Sequence, residues 1–399
     1  MSYDTRIREL VAHAYQHAPA IKTIMDNAGV TPADIQSTQD LVKIPILHKD
    51  ELVELHHANP PFGGFLAVDI NDLPRIYISP GPIYDPQPIN PEAGDAPLAP
   101  FRYVGFGRGD RVLNTFMYHL TPAGLLLDEG LRGVGATVIP SGPGNTDLQI
   151  MMMQALNITG FVGQPSYLMT ILDKCEEMNV PVTIKKALFS AEPYTPSQRK
   201  RFEEDYGMRT TSAYGTADLG FVGYTRHDVQ GFCLMDTIYM EIVDPQTGEQ
   251  MPDGEMGEIV VTTFNKAYPL LRFGTGDLGA LAPENQKQCE GQQLLGLFGR
   301  SGDAVKVRGM FLHPNQLLAA KTQFPQIKNI QAIITRPGNN DHVLLRVELQ
   351  PGTNANGLAE KLKEAARSAV RLRIDDVEFV EPGSIKPGER VVKDQRTWE

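Results

Sequence analysis

Residues 136–163 read ATVIPSGPGNTDLQIMMMQALNITGFVG. Two short apolar runs, ATVIP and TGFVG, bracket DLQIMMMQAL, a stretch of helical length. Apolar runs of four or five residues suit strands buried on both faces, and parallel strands need a crossover of a dozen or so residues, usually helical. The Gly- and Pro-rich SGPGN supplies the turn between strand and helix. The unit reads as β-α-β, and the pattern extends both ways. RVLNTF (111–116) precedes it; SYLMTILDKCEEM (166–178) and KALFS (186–190) follow. YTPSQRKRFEEDYG (194–207) is a helix with its punctuation: Thr195 can cap it, Pro196 fits the first turn and Gly207 can end it. Strand–helix alternation of this kind predicts an α/β domain around a largely parallel sheet.

After Gly231 the pattern changes. IYMEIVDPQTGEQMPDGEMGEIVVTTF (238–264) is two β runs around a Gly/Pro/Asp-rich turn, and FGTGDLGALA and LLGLFGR continue a β-rich subdomain. Residues 303–399 read as a separate unit in the order βαββαβ, a ferredoxin-like layout that begins with VKVRGMFL (305–312) as its first strand. The expected domains are therefore 1–302 and 303–399. Residues 61–100, rich in Pro and Gly, read mostly as loop.

Composition narrows the function. With 399 residues, 41% hydrophobic and 21% charged, the chain can bury a sizeable core. The start, MSYDTRIREL, is polar, and no run of 18 apolar residues could span a bilayer, so a cytoplasmic protein without a membrane partner is expected. A net charge of -11 argues against nucleic acid as a partner. Cys175, Cys233 and Cys289 are scattered and odd in number, which argues against a disulfide framework or a zinc site.

Six stretches carry a resemblance: RGVGATVIPSGPGNTDLQIMMMQ, ALFSAEPYTPSQRKRFEEDYG, TTSAYGTADLG, PLLRFGTGDLGAL, GRSGDAVKVRGMFLHPNQL and VEPGSIKPGERVVKDQR. Together, and in this order from about Ile7 to the end, they resemble the phenylacetate–coenzyme A ligase family of the adenylate-forming superfamily. The resemblance implies an ATP-dependent ligase with Mg²⁺, whose product nucleotide is AMP. A carboxylic acid, usually aryl, attacks the α-phosphate, and coenzyme A then displaces AMP. A small mobile carboxy-terminal domain and a homodimer belong to the same expectation.

Particular residues inherit roles from this resemblance. Ser190, Ala191, Glu192 and Pro193 would border adenine at a strand end, as suits the C-terminal edge of a parallel sheet. Tyr214 would stack on the base, with Gly215 permitting close approach. The family pattern Tyr-Gly-x-Ser/Thr-Glu appears here as Tyr214-Gly215-Thr216-Ala217-Asp218. Its hydroxyl position is alanine, and its Mg²⁺ carboxylate is the shorter Asp218, with Thr216 next to the vacated hydroxyl. Asp277 would accept the ribose hydroxyls, Arg300 would meet ribose or phosphate, and Asp303 would be the hinge. Tyr118 and His119, in FMYHLTPAG, would line the acid pocket. Lys386 would bridge the α-phosphate and the acid as catalytic lysine, with Lys393 as fallback.

One stretch departs from the family. YISPGPIYDPQP (77–88) stands where a Ser/Thr/Gly-rich phosphate loop ending in lysine is expected. Pro80, Pro82 and Pro86 offer no N–H, and each hydrogen bond to a charged group is worth about 1.5–3 kcal/mol. Asp85 adds repulsion, about 4 kcal/mol for one like-charge pair at 4 Å and an effective dielectric of 20. The chain therefore reads as an acyl- or aryl-CoA ligase with an atypical loop. The alternatives are an AMP-binding protein without ligase activity, or adenylation followed by transfer to an amine.

Overall fold

The computed structural model describes residues 1–399 except 80–82, 88–93, 304, 309, 338–340, 356, 371, 387 and 397–399, together with the side chains of 50, 303, 306, 310, 311, 369 and 370. Two compact units emerge. One comprises 1–241, 260–275 and 281–296; the other comprises 242–259, 276–280 and 297–399.

In the first unit, α1 (Tyr3–His17) and α2 (Pro19–Asn27) open the chain. Ser2 caps α1, and Ile7, Leu10, Val11 and Ala14 form its buried stripe. β1 (Leu47–His48) leads directly into α3 (Lys49–Ala58). β2 (Ile76–Ser79) and β3 (Ile83–Pro86) pair as an antiparallel hairpin with Tyr77 opposite Asp85. The expectation of loop through this stretch is thus corrected. Tyr77, Ser79, Ile83 and Asp85 are buried while Ile76 and Tyr84 are exposed, so the alternation of a strand outweighs its prolines.

α4 (Ala99–Val104) precedes the α/β core. That core runs β4 (Arg111–Asn114), α5 (Ala123–Gly133), β5 (Thr137–Pro140), α6 (Thr146–Leu156), β6 (Gly160–Gly163), α7 (Pro165–Glu177), β7 (Lys186–Phe189), α8 (Pro196–Lys200) and β8 (Arg209–Thr216). The five strands pair in parallel in the order β5-β4-β6-β7-β8. Thr195 accepts the Gln198 N–H at the start of α8, and Gly207 turns the chain with a positive φ. Both were legible as punctuation.

The sheet continues through β9 (Gly220–Thr225), β10 (Phe232–Leu234), β11 (Ile238–Val243), β12 (Gly257–Thr263), β13 (Phe273–Leu281) and β14 (Gln293–Arg300), with β8, β9, β10 and β14 paired antiparallel. Its order is β11-β12-β13-β14-β10-β9-β8-β7-β6-β4-β5, with β1 parallel to β13. Cys233 and Cys289 form a disulfide with Cα atoms 5.6 Å apart, which corrects the expectation from cysteine count. Cys233 pairs with Gln293 across β10 and β14, which brings a residue 56 positions away into bridging range.

In the second unit, β15 (Val305–Val307) and β16 (Met310–Leu312) form a two-stranded ribbon. α9 (Pro314–Lys321), β17 (Ile327–Thr335), β18 (His342–Leu349), α10 (Leu358–Val370), β19 (Asp376–Val380) and β20 (Val392–Asp394) follow, and the four strands order β19-β18-β17-β20. The α/β alternation is as expected, but 305–312 is no single first strand. Arg308 adopts φ 51 and folds it on itself, and β20 supplies the fourth strand of the sheet.

Arg272 anchors the amino-terminal segment of the first unit. Its Nε donates to Glu241 at 3.1 Å, and its Nη1 donates to the carbonyls of Val42 and Ile44. Both side chains of the ion pair are 3% exposed. Removing one partner strands a charge in a low-dielectric interior. Arg272→Ala should therefore cost about 3–5 kcal/mol in urea unfolding. A loss under about 1 kcal/mol would show that the pair does not hold this segment.

Candidate functional site

The loops after β6, β7 and β8 leave from the carboxyl ends of parallel strands, the usual ligand edge of an α/β sheet. A cavity of about 230 Å³ lies there, lined by Ser190 and Ala191, by Gly215, Thr216 and Ala217, and by apolar groups including Phe116, Leu126 and Phe221. The Ser190 hydroxyl donates to the Ala213 carbonyl at 2.9 Å and ties the loop after β7 to β8. Ala191 sits at φ 74, a left-handed conformation that costs a β-carbon some strain. Glu192 points the other way and accepts the Ser166 N–H in the first turn of α7. Pro193 is exposed.

Gly215 is fixed by sterics, because a β-carbon there would stand 2.5 Å from the Gly220 carbonyl oxygen across the β8–β9 hairpin. Tyr214 is buried with its ring 6.2 Å from Phe232 and does not line the cavity. The Thr216 hydroxyl accepts the Leu219 N–H at 3.2 Å and so closes its own turn. Tyr118 and His119 also lie off the cavity lining. The Tyr118 hydroxyl donates to Asp128 and accepts from Asn114, while His119 is exposed. Phe116 and Thr121, either side of them, reach the cavity instead.

Asp218 turns inward from the same hairpin, its side chain 1% exposed. Its Oδ2 accepts from Lys49 Nζ at 2.8 Å, and its Oδ1 has no hydrogen-bond partner among the described residues. That free hard oxygen fits a Mg²⁺ ion by donor chemistry. Lys49 is the first residue of α3, which packs against β3.

Around this pair lie further buried polar groups. Burial and the charge of Asp218 push the Asp85 carboxyl up to about 7, against smaller pulls from Ser79 and Lys49. The Ser79 hydroxyl approaches Asp85 without good hydrogen-bond geometry. His56 Nε2 and the Tyr268 hydroxyl are 2.8 Å apart, and burial holds the His56 imidazole down near about 4. Burial and both carboxylates push the Tyr268 phenol far above its ordinary value. The expected repulsion from a fixed Asp85 charge is thereby corrected. The carboxyl is buried on a strand and carries only part of its charge near neutral pH.

In the second unit, Arg300 Nη1 and Asp277 Oδ1 form an ion pair of 2.8 Å. Gly276, at φ 69, leaves room for it, because a β-carbon there would stand 2.8 Å from the Arg300 guanidinium. Lys386 is exposed, and its charge acts on Glu389. Lys393 is held by Glu389 at 2.7 Å. The side chain of Asp303, the expected hinge, lies outside the described ones, as do Pro80 and Pro82.

The sequence reading missed Lys49, His56, Ser79 and Tyr268. Lys49 left one signal. A lysine in the first turn of a helix opposes the helix dipole and calls for a specific carboxylate elsewhere.

Three comparisons bear on this arrangement. The family model described as AMP-binding enzyme matches residues 117–266, which include the loops after β6, β7 and β8. A phenylacetate–coenzyme A ligase of Thermus thermophilus is 31% identical, over 87% of this chain and 80% of its own. The enzyme of that name from Aromatoleum evansii is 30% identical over 91% and 84%, and that of Escherichia coli is 28% identical over 96% and 91%. Among solved structures, an open conformation of 2-hydroxyisobutyryl-CoA ligase with 2-HIB-AMP and CoA superposes with a TM-score of 0.82 at 24% identity, over 98% of this chain and 90% of its own. The family model and the curated relatives make the chain an adenylate-forming ligase of the AMP-forming acid–thiol class. Within that class, the chain belongs to the phenylacetate–coenzyme A ligase family.

The buried pair Asp85 and His56 gives a pH prediction. Asp85, raised from 3.8 to about 7, takes up a proton on folding, so its contribution to stability falls as pH rises through that window. His56, lowered from 6.5 to about 4, gives one up, so its contribution rises between those values. The two oppose each other from about pH 4.5 to 6.5. In metal-free buffer, the stability of Asp85→Asn minus that of the unsubstituted protein should climb by about 1 kcal/mol per pH unit there. Parallel profiles by urea unfolding would contradict the assignment.

Proposed function

We infer that the protein is an ATP-dependent aryl-CoA ligase. An oxygen of the acid attacks the α-phosphorus of ATP, and the bond to pyrophosphate breaks. The thiol of coenzyme A, losing its proton, then attacks the acyl carbon and AMP leaves. The observation that carries this reading is the apolar cavity closed by Ser190–Ala191 and Gly215–Ala217 at the strand ends. Phe116 and Phe221 give it aromatic walls, which favour an aryl acid.

In this reading Ser190, Ala191, Glu192 and Pro193 border the adenylate through backbone groups, with Gly215 and Thr216 opposite. Tyr214 supports the adenine from within rather than as an exposed stacking face. Asp277 accepts the ribose hydroxyls and Arg300 meets ribose or phosphate. Phe116 and Thr121 take the place first assigned to Tyr118 and His119, and Tyr118 braces α5 through Asp128. Bound at Asp218, Mg²⁺ would neutralise phosphate charge. Residues 303–399 act as a mobile domain hinged at Asp303 that brings Lys386 to the α-phosphate. Lys386 is preferred to Lys393 because Lys393 is already paired. The reaction is cytoplasmic and the enzyme a homodimer; no described helix is long and apolar enough to cross a membrane.

Mass spectrometry of an aryl-acid panel with Mg·ATP and coenzyme A should show a thioester and one AMP per thioester. Folded protein that makes neither would overturn the reading. Lys386→Ala should slow thioester formation from acid and ATP about 10²–10³-fold. It should leave transfer from a preformed acyl-adenylate within a few-fold. Equal losses in both assays would remove Lys386 from the adenylation step. Asp277→Ala should weaken AMP binding in calorimetry by about tenfold or more, the worth of a charged hydrogen bond.

A further inference from the structure

The β2–β3 hairpin stands in the sequence where the family resemblance expects a phosphate loop, yet its sequence offers prolines and no lysine for that work. What it buries instead is oxygen. Asp85 is 4% exposed and Ser79 is 3% exposed, both on the inner face of the hairpin. Among the described residues, Asp85 Oδ2 and Ser79 Oγ have no hydrogen-bond partner, and neither has Asp218 Oδ1. Lys49 of α3 holds Asp218 at 2.8 Å, and α3 packs against β3, the strand that carries Asp85, so the two carboxylates lie on either side of one helix turn and feel each other's charge. Buried polar atoms in native proteins are nearly always satisfied, so three unsatisfied oxygens at one place require an explanation.

We propose that Asp85 is a second carboxylate ligand for the divalent ion held at Asp218, with Ser79 beside it, so that the hairpin binds metal where other members bind phosphate directly. Charge and chemistry both favour this. Two carboxylates and a hydroxyl are the hard oxygen ligands that Mg²⁺ takes. A divalent cation balances two carboxylates, whereas the Lys49 ammonium balances one. Lys49 is 34% exposed on its side chain, so it can leave Asp218 for solvent when the ion arrives. Tyr268 and the neutral His56 form the neighbouring wall without adding charge. Two buried carboxylates also bind an ion without help from a nucleotide. The ion therefore binds before ATP and carries the triphosphate in place of the missing donors. The inference rests on the ligase reading only for the phosphates that the ion later meets.

The test uses Mn²⁺ as the probe on the full, nucleotide-free chain, with free ion counted by electron paramagnetic resonance. The unsubstituted protein should bind one Mn²⁺ below about millimolar concentration. Asp85→Asn, which keeps the shape and loses the charge, should weaken this about tenfold or more. Ser79→Ala should weaken it a few-fold. Lys49→Met removes the competing ammonium and should tighten it, with a larger Mn²⁺-dependent rise in Tm than the unsubstituted protein shows. No binding by the unsubstituted protein, equal affinity in Asp85→Asn, or weaker binding in Lys49→Met would each overturn the proposal. The Lys49→Met arm decides the matter if Asp85→Asn does not fold. AMP calorimetry in EDTA runs alongside. Failure there counts against the ligase reading and leaves the metal result standing.

Discussion

The ion pair between Lys49 and Asp218 spans 169 residues of sequence and 2.8 Å of space. It joins the first turn of α3 to the turn after β8, and that turn follows directly on the residues that line the cavity. An exposed ion pair contributes little to stability, but Asp218 is almost fully buried, and a buried carboxylate must be met by a cation. The pair therefore sets the orientation of Asp218 and, through it, the geometry of the β8–β9 turn. It also decides which oxygen remains for a metal. With Oδ2 taken, Oδ1 has no hydrogen-bond partner among the described residues, and the charge of Asp218 acts on Asp85 of the β2–β3 hairpin and on Tyr268.

In the proposed metal site, the proline hairpin and the short Asp218 carboxylate belong together. A chain that gives up backbone donors at Pro80, Pro82 and Pro86 loses direct contacts to phosphate. Asp218 lies in the interior, its side chain 1% exposed and held by Lys49. In the proposal, buried side chains and their ion take over the charge neutralisation that backbone donors would otherwise supply. Arg272, held by the Glu241 carboxylate, does structural work elsewhere in the first unit, fixing the segment that precedes α3 by donating to the carbonyls of Val42 and Ile44.

Local signals carried most of the fold. The β-α-β pattern of 136–163, the Thr195 cap and the Gly207 stop each depend on neighbours in sequence, and each appears as read. What escaped depends on distant partners. The hairpin at 76–86 was hidden because prolines suggested loop, although its inward and outward alternation was present in Tyr77, Ser79, Ile83 and Asp85. The Cys233–Cys289 bond needed the β10–β14 pairing to be known. In the site, Ser190, Ala191, Gly215 and Thr216 line one cavity, because motif spacing sets backbone position. Tyr118, His119 and Tyr214 do not, because spacing says nothing about which way a side chain turns. Lys49, His56 and Tyr268 come from segments with no motif of their own, and only burial of Asp218 calls them in.

The central claim is that this chain forms an acyl-adenylate despite its proline hairpin. Acid-dependent exchange of labelled pyrophosphate into ATP, in the absence of coenzyme A, tests that step directly. The account predicts exchange that requires an aryl acid and a divalent ion. No exchange with any acid of a broad panel, from folded protein that still binds AMP, would contradict it and leave a nucleotide-binding protein without ligase chemistry.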